Sequence, residues 1–269
     1  MTKSVVITGS TRGIGYGMAE EFLKRGCQIV VSGRKQEDAA AAAERLGQVF
    51  GSDRVLAQAC DVGAYDQVQA LWSAAVEQFG KVDIWINNAG QAQAIQKFWE
   101  TDEGLMESVV QANLLGTMYG AKAAIRGMLA QGFGELYFME GRGSNGAYAA
   151  GMALYATTKR GGNYLFESLV KELKGTPVKV GALSPGMVVT DLLTRQRADD
   201  PDNWESTKKI FNILADKVET VTPWLVENIL ANEKHGAEIR WLTQPKILWR
   251  FMTASFNKRD LFEEELVEG

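Results

Sequence analysis

Tyr155 and Lys159 stand four residues apart in a segment that reads as a helix, so their side chains share one face. A free phenol titrates at about 10, too high for easy proton exchange at neutral pH, and a neighbouring ammonium favours the phenolate and lowers that value. Such a pair could hand a proton to a carbonyl oxygen as hydride reaches the carbon; without a site around it, it would be two surface side chains. Asn113 lies inside a long helical pattern. Asparagine is a poor residue there, so a polar task is expected of it, in chemistry or in a local backbone hydrogen bond. Near the start, Thr8-Gly9-Ser10-Thr11-Arg12-Gly13-Ile14-Gly15 joins an apolar run to a helical pattern. Glycines there permit a sharp turn and close approach of a pyrophosphate, and the helix that follows offers free N–H groups. Any tight turn can use glycines; the position between strand and helix is what points to a dinucleotide.

The second strand ends in Ser32-Gly33-Arg34, with no acid before Glu37. A site for NAD usually holds the ribose 2′-hydroxyl with an acid near this place. Arg12 and Arg34 could instead clasp a 2′-phosphate, which makes NADPH/NADP+ the expected cofactor; otherwise both are solvated charges. Asp61, just past the third strand, is placed either to meet an adenine amino group or to cap its own loop.

The elements that must position these residues alternate. Strands are expected at 4–8, 28–32, 55–59, 82–86, 135–139 and 178–183, with an edge strand at 237–242. Helices are expected at 13–25, 37–50, 65–79, 105–129 and 156–173, then at 204–216 and 218–232, after a polar loop at 195–203. This order implies βαβ units and a doubly wound parallel sheet.

Composition narrows the classes further. The chain has 269 residues, 46% hydrophobic and 23% charged, which suits one α/β domain. A net charge of −4 gives no bulk field for nucleic acid. Cys27 and Cys60 sit in apolar runs and read as core residues of a reducing compartment. One histidine, His235, argues against zinc or a histidine triad, and no metal is expected. The first strand begins almost at Met1, so no secretory leader is expected, and no apolar run has the roughly 20 residues of a membrane span.

Taken in order, the 8–15 turn, Asp61, Asn87-Asn88-Ala89-Gly90, Asn113, Tyr155 with Lys159, and Pro185-Gly186 resemble the motif set of the short-chain dehydrogenase/reductase family, over nearly the whole chain. The resemblance implies a single Rossmann-like domain over 1–269, with helices on both faces of the sheet, a substrate lid at about 190–235 and a tail at about 244–269. It implies that Lys159 also holds the nicotinamide ribose and that Asn113 orders a water relay to it. It implies that the Val188 backbone meets the carboxamide, that Thr190 contacts the carboxamide or a phosphate, and that Val62, Asn88, Ala89, Gly90, Pro185 and Gly186 lie along the cofactor. One position departs. The family serine stands about 13 residues before the tyrosine, where this chain has Arg142; Ser144, 11 before, is the nearest candidate, with capping of its own loop as the alternative.

Residues 83–90, 141–144, 183–193, 211–215 and 239–243 are further similar to one branch of that family, the chlorophyll(ide) b reductases, displaced serine included. That implies reduction of the 7-formyl group of chlorophyll(ide) b to hydroxymethyl with NADPH. A reductase of other hydrophobic aldehydes or ketones, 3-oxoacyl or steroid-like, keeps every catalytic residue and is the alternative; a silent NADP-binding protein would not need Tyr155 and Lys159. Trp204, Phe211, Ile213, Trp224 and Leu225 are expected either to present a flat apolar wall to a macrocycle or to pack the lid. The stretch 246–259 mixes aromatic and basic residues, which suits an anionic membrane surface, packing on its own subunit, or an oligomer interface. The expected partners are a hydrophobic small molecule and further copies in a homodimer or homotetramer. The expected place is the cytoplasm or plastid stroma, beside a photosynthetic membrane.

Overall fold

The computed structural model describes residues 2–148, 150–190 and 204–262. Short runs rich in apolar residues form β1 (Ser4–Ile7), β2 (Gln28–Gly33), β3 (Val55–Ala59), β4 (Ile84–Asn87), β5 (Gly134–Met139), β6 (Val178–Ser184) and, later, β9 (Ala237–Arg240). These pair in the order β3-β2-β1-β4-β5-β6-β9, all parallel. Between them run α1 (Gly13–Lys24), α2 (Gln36–Phe50), α3 (Tyr65–Phe79), α4 (Glu103–Val110), α5 (Gly116–Gln131) and α6 (Ala153–Glu172).

Side chains alternate across the sheet. Val5, Ile7, Ile29, Val31, Ile84 and Ile86 pack on one face against Met18, Phe22 and Leu46. Val6, Val30, Trp85, Leu136 and Phe138 pack on the other against Leu71, Met128 and Phe166. Both faces are covered, which is why the strands read as continuous apolar runs; each fully buried aliphatic side chain contributes about 1.5–3 kcal/mol. Cys27 and Cys60 are free and buried in these two cores. Chain order reverses between β1 and β4, the switch point at whose carboxyl ends open α/β sheets bind their ligands.

Three features differ from expectation. The helix expected over 105–129 is two helices separated by a π-turn, Gln111–Leu115, and α4 starts earlier because the Asp102 carboxylate caps the Leu105 N–H at 2.9 Å. Asn113 reaches sideways out of this turn, and Thr117 Oγ1 takes up its carbonyl at 2.7 Å. After β6 a small parallel pair forms, β7 (Met187–Val189) with β8 (Ala215–Lys217), so α7 (Trp204–Leu214) stops short of 216. β9 ends at Arg240, and α8 (Val218–Leu230) and α9 (Gln244–Thr253) complete the C-terminal region, α9 carrying Pro245 in its first turn. The polar 195–203 stretch lies outside the described residues.

Candidate active site

The glycine turn leaves the end of β1. Gly9 and Gly13 have φ of 64° and 57°, the left-handed region that glycine adopts without strain. A Cβ on Gly9 would lie 2.9 Å from the Ala89 Cα, so the turn and the 87–90 segment touch across the switch point. Thr8 Oγ1 accepts the N–H groups of Asn88 and Ala89, both at 3.0 Å. Asn88 Nδ2 donates to the carbonyls of Thr8 and Gly9 at 2.9 and 3.0 Å. Ser10 is fully buried, donating to the Ile7 carbonyl at 2.7 Å and accepting the Ser32 N–H at 3.0 Å. The side chains of Ser10 and Asn88, expected along the cofactor, are thus committed to shaping the turn.

The turn fits a pyrophosphate. α1 begins at Gly13 with no side-chain cap and no acid in its first turn, so its N–H groups face the cleft. A Cβ on Gly13 would meet Thr190 Cγ2 at 3.6 Å, which sets Thr190 opposite the turn. Gly15 packs against the Gly9 carbonyl, and the Thr11 methyl rests on Gly33. Arg12 and Arg34 are both exposed, and no ion pair or side-chain hydrogen bond is made by Arg34 among the described residues. Asp61 caps its own loop, accepting the Gly63 N–H at 2.9 Å, while buried Val62 packs against Gly116 and supports the π-turn.

Tyr155 lies in the first turn of α6. Its N–H is accepted by Gln93 Oε1 at 2.8 Å, and Gln93 Nε2 donates to the Gly151 carbonyl at 3.0 Å. The Tyr155 hydroxyl lies so close to Gly141 that a Cβ there would collide with it. Lys159 Nζ stands 5.8 Å from the Tyr155 ring centroid and donates to the Met139 carbonyl at 3.2 Å. Gly90 brings the third member in: a Cβ on it would meet Asn113 Oδ1 at 3.3 Å and Lys159 Nζ at 3.7 Å. Asn113 itself accepts the Gln91 N–H at 2.7 Å and donates to the Gln91 carbonyl at 2.9 Å and to Thr158 Oγ1 at 3.2 Å. The polar task expected of Asn113 is therefore a clamp between the 90–91 segment and α6.

Burial corrects one expectation. Desolvation pushes the Tyr155 phenol up to about 12 instead of the lysine drawing it down. The same burial lowers Lys159 to about 8, with the Glu140 carboxylate opposing the fall.

Ser144 is 2% exposed and its hydroxyl accepts the Gly141 N–H at 3.0 Å, so it caps its own loop. It also shares with Asn113, Thr158, Lys159 and Glu140 the wall of an internal cavity of about 20 Å³, room for one water. Arg142, at the usual serine position, is exposed.

Beyond β6, Val188 is buried in β7 beside Asp216 in β8. Trp204 and Phe211 pack on Phe262, with Trp204 and Phe262 centroids 5.3 Å apart; Leu225 is in the main core and Trp224 stacks edge-on against Trp241. Of the two expectations for this group, a flat wall or local packing, Trp204, Phe211, Trp224 and Leu225 show packing. Large apolar side chains that spacing along the chain does not single out stand exposed elsewhere: Ile95, Phe98 and Trp99 after β4, and Tyr148 before α6. The Gln96 N–H donates to the Gly151 carbonyl at 3.1 Å, joining these two loops next to Tyr155. In the tail two of the cations turn inward: Arg250 and Arg259 each reach buried Asp216 at 2.7 Å, as does the Trp241 indole N–H. Leu248, Trp249, Phe251, Met252 and Phe256 turn outward.

The chain is similar to known proteins over most of its length. The family profile described as short chain dehydrogenase matches residues 3–201. Chlorophyll(ide) b reductase NOL, chloroplastic, of Oryza sativa subsp. japonica is 40% identical over 267 residues, 95% of this chain and 76% of that protein. Probable chlorophyll(ide) b reductase NYC1, chloroplastic, of Arabidopsis thaliana is 32% identical over 98% of this chain, which spans 55% of that protein's length. Among solved structures, a 3-ketoacyl-(acyl-carrier-protein) reductase from Brucella melitensis complexed with NADH superposes with a TM-score of 0.76 at 25% identity, covering 89% of this chain and 96% of that one. Motif order, sheet topology and the profile match converge, and the chain belongs to the short chain dehydrogenase family of nicotinamide-dependent oxidoreductases.

Proposed function

We propose that this protein reduces the 7-formyl group of chlorophyll(ide) b to a hydroxymethyl group, with NADPH as the reductant. The observation that carries the reading is the Tyr155 hydroxyl set against Gly141, with Lys159 and Asn113 assembled behind it, in a chain 40% identical to a named chlorophyll(ide) b reductase. Bound reduced nicotinamide supplies the hydride. Tyr155 delivers the proton to the aldehyde oxygen. With its phenol near 12, Tyr155 is protonated at neutral pH, the state a reductase needs. An alkoxide is far more basic than a phenolate, so the transfer remains downhill. Lys159 has one proton on the Met139 carbonyl and two left, for a ribose hydroxyl and for the water-sized cavity beside Asn113. Ser144 acts through Gly141, holding that backbone against the phenol.

The Gly9–Gly15 turn and the first turn of α1 hold the pyrophosphate; the 87–90 segment, Pro185, Gly186, Val188 and Thr190 flank the nicotinamide; Asp61 and Val62 border the adenine end. Exposed Arg34, with no acid at the end of β2, supports a 2′-phosphate, and Arg12 stands at the same mouth. Ile95, Phe98, Trp99 and Tyr148 support an apolar rim for a flat pigment. Met118, Leu129 and Tyr164, exposed on α5 and α6, support pairing into a homodimer or homotetramer. The outward apolar face of α9 supports contact with a membrane surface, in keeping with plastid stroma or cytoplasm as the location.

A broader reductase of hydrophobic carbonyls is the second reading, favoured by the 0.76 TM-score to a 3-ketoacyl reductase. Incubation with NADPH and either chlorophyllide b or a 3-oxoacyl thioester decides. A shift of the pigment absorbance to that of the 7-hydroxymethyl product is expected; no shift, with turnover of the thioester, would replace the first reading by the second.

A further inference from the structure

Glu140 follows β5 directly, its N–H donating to the Leu183 carbonyl at 2.8 Å. It is 8% exposed, and both of its carboxylate oxygens have partners. They come from two elements. Asn163 Nδ2, on α6, donates to its Oε1 at 3.1 Å, and Arg240, ending β9, pairs with its Oε2 at 3.4 Å. Arg240 also pairs with Glu238, and its side chain remains 36% exposed, so its charge is divided between two acids and solvent. Glu140 therefore keeps a net negative field inside the fold. It faces Lys159 across the cavity of about 20 Å³ that both line with Asn113.

We propose that Glu140 is a positioning residue of this site: a buried carboxylate, tethered by Asn163 and Arg240, that holds the Lys159 ammonium charged beside Tyr155. The role in turnover rests on the reading of Tyr155 and Lys159 as the proton-transfer pair; the electrostatic coupling does not. Other groups near Lys159 do not supply the same charge. Tyr155 is neutral at pH 7, and Arg160, the next residue, directs its guanidinium to the Ser144 carbonyl and Asn163 Oδ1. Arg142 on the loop above is exposed, α4–α5 contributes uncharged Asn113, and β4 contributes Asn87. Burial alone drives the ammonium toward the free amine, and Glu140 is the charge that opposes it.

The test is a lysine side-chain NMR titration of the full chain, with the Lys159 signal identified by its loss in Lys159→Met. Glu140→Gln keeps the shape and a hydrogen bond to Asn163 but removes the charge, and the Lys159 midpoint should fall by about one pH unit. Arg240→Gln removes the competing cation, and the midpoint should rise. Opposite shifts support the inference, because a merely structural disturbance has no reason to reverse sign between the two. Midpoints that stay in place, or move the same way in both variants, would overturn it. If Glu140→Gln fails to fold, Arg240→Gln alone decides, and absence of an upward shift overturns the proposal. The resting protein reports these values without substrate. Opposite shifts with no reduction of any aldehyde would uphold the Glu140–Lys159 coupling and sink the catalytic reading.

Discussion

Gln93 and Tyr155 are joined by a hydrogen bond, Oε1 to backbone N–H at 2.8 Å, across 62 residues of sequence. The same amide holds the Gly151 carbonyl, so one buried side chain on the loop after β4 fixes both the first turn of α6 and the segment entering it.

Gln93→Leu keeps the volume, leaves the Tyr155 N–H unpaired and leaves the Gly151 carbonyl with the Gln96 N–H alone. Urea unfolding should show a loss of about 1–3 kcal/mol. Because small misplacements of a reacting group slow a reaction steeply, kcat/KM for aldehyde reduction should fall at least about tenfold. Unchanged kcat/KM in the destabilised variant would reduce Gln93 to a helix cap.

Arg34→Ala removes an exposed guanidinium at the end of β2. NADPH should bind roughly 10- to 100-fold more weakly, the range for a lost charge-assisted contact, with NADH binding unaltered. Fluorescence titration of both cofactors checks this; equal losses for the two would point to damage to the turn.

Lys159 falls from its ordinary 10.5 to about 8 on folding because burial disfavours the ammonium. Between those values the unfolded chain binds a proton that the folded chain has released, so stability from this group rises with pH across the window and is lowest below it. Tyr155, raised from 10 to about 12, acts oppositely: its contribution is complete below 10 and is lost as pH climbs through 12. Urea midpoints measured from pH 7 to 9.5 should rise less steeply in Lys159→Met than in the parent; parallel slopes would refute the assignment.

Asp216→Ala leaves Arg250 and Arg259 without their shared carboxylate in a partly buried cluster. A loss of about 3–5 kcal/mol is expected, as for other buried pairs broken on one side. Chemical denaturation measures it, and a loss under about 1 kcal/mol would mean that solvent reaches both guanidinium groups.

Trp99→Ala removes one exposed aromatic of the apolar rim proposed for the pigment. The KM for chlorophyllide b should rise roughly 3- to 10-fold, the range for one aromatic contact, while that for a small aliphatic aldehyde stays constant. Equal effects on both substrates would remove Trp99 from pigment recognition.

Local spacing was enough to specify much of this protein before any long-range contact is considered. Continuous apolar runs alternating with helical patterns imposed the parallel sheet, the glycines of 8–15 imposed the turn, and the four-residue interval put Tyr155 and Lys159 on one face, because each follows from the geometry of a few neighbouring residues. Burial and charge environment came from the folded arrangement. That the Tyr155 phenol rises instead of falling, that Trp204 and Phe211 close on Phe262, that Arg250 and Arg259 turn inward to Asp216, and that Gln93 meets Tyr155 and Glu140 meets Asn163 all depend on which distant segments meet. Desolvation and Coulomb forces act through space, and no spacing along the chain reports them.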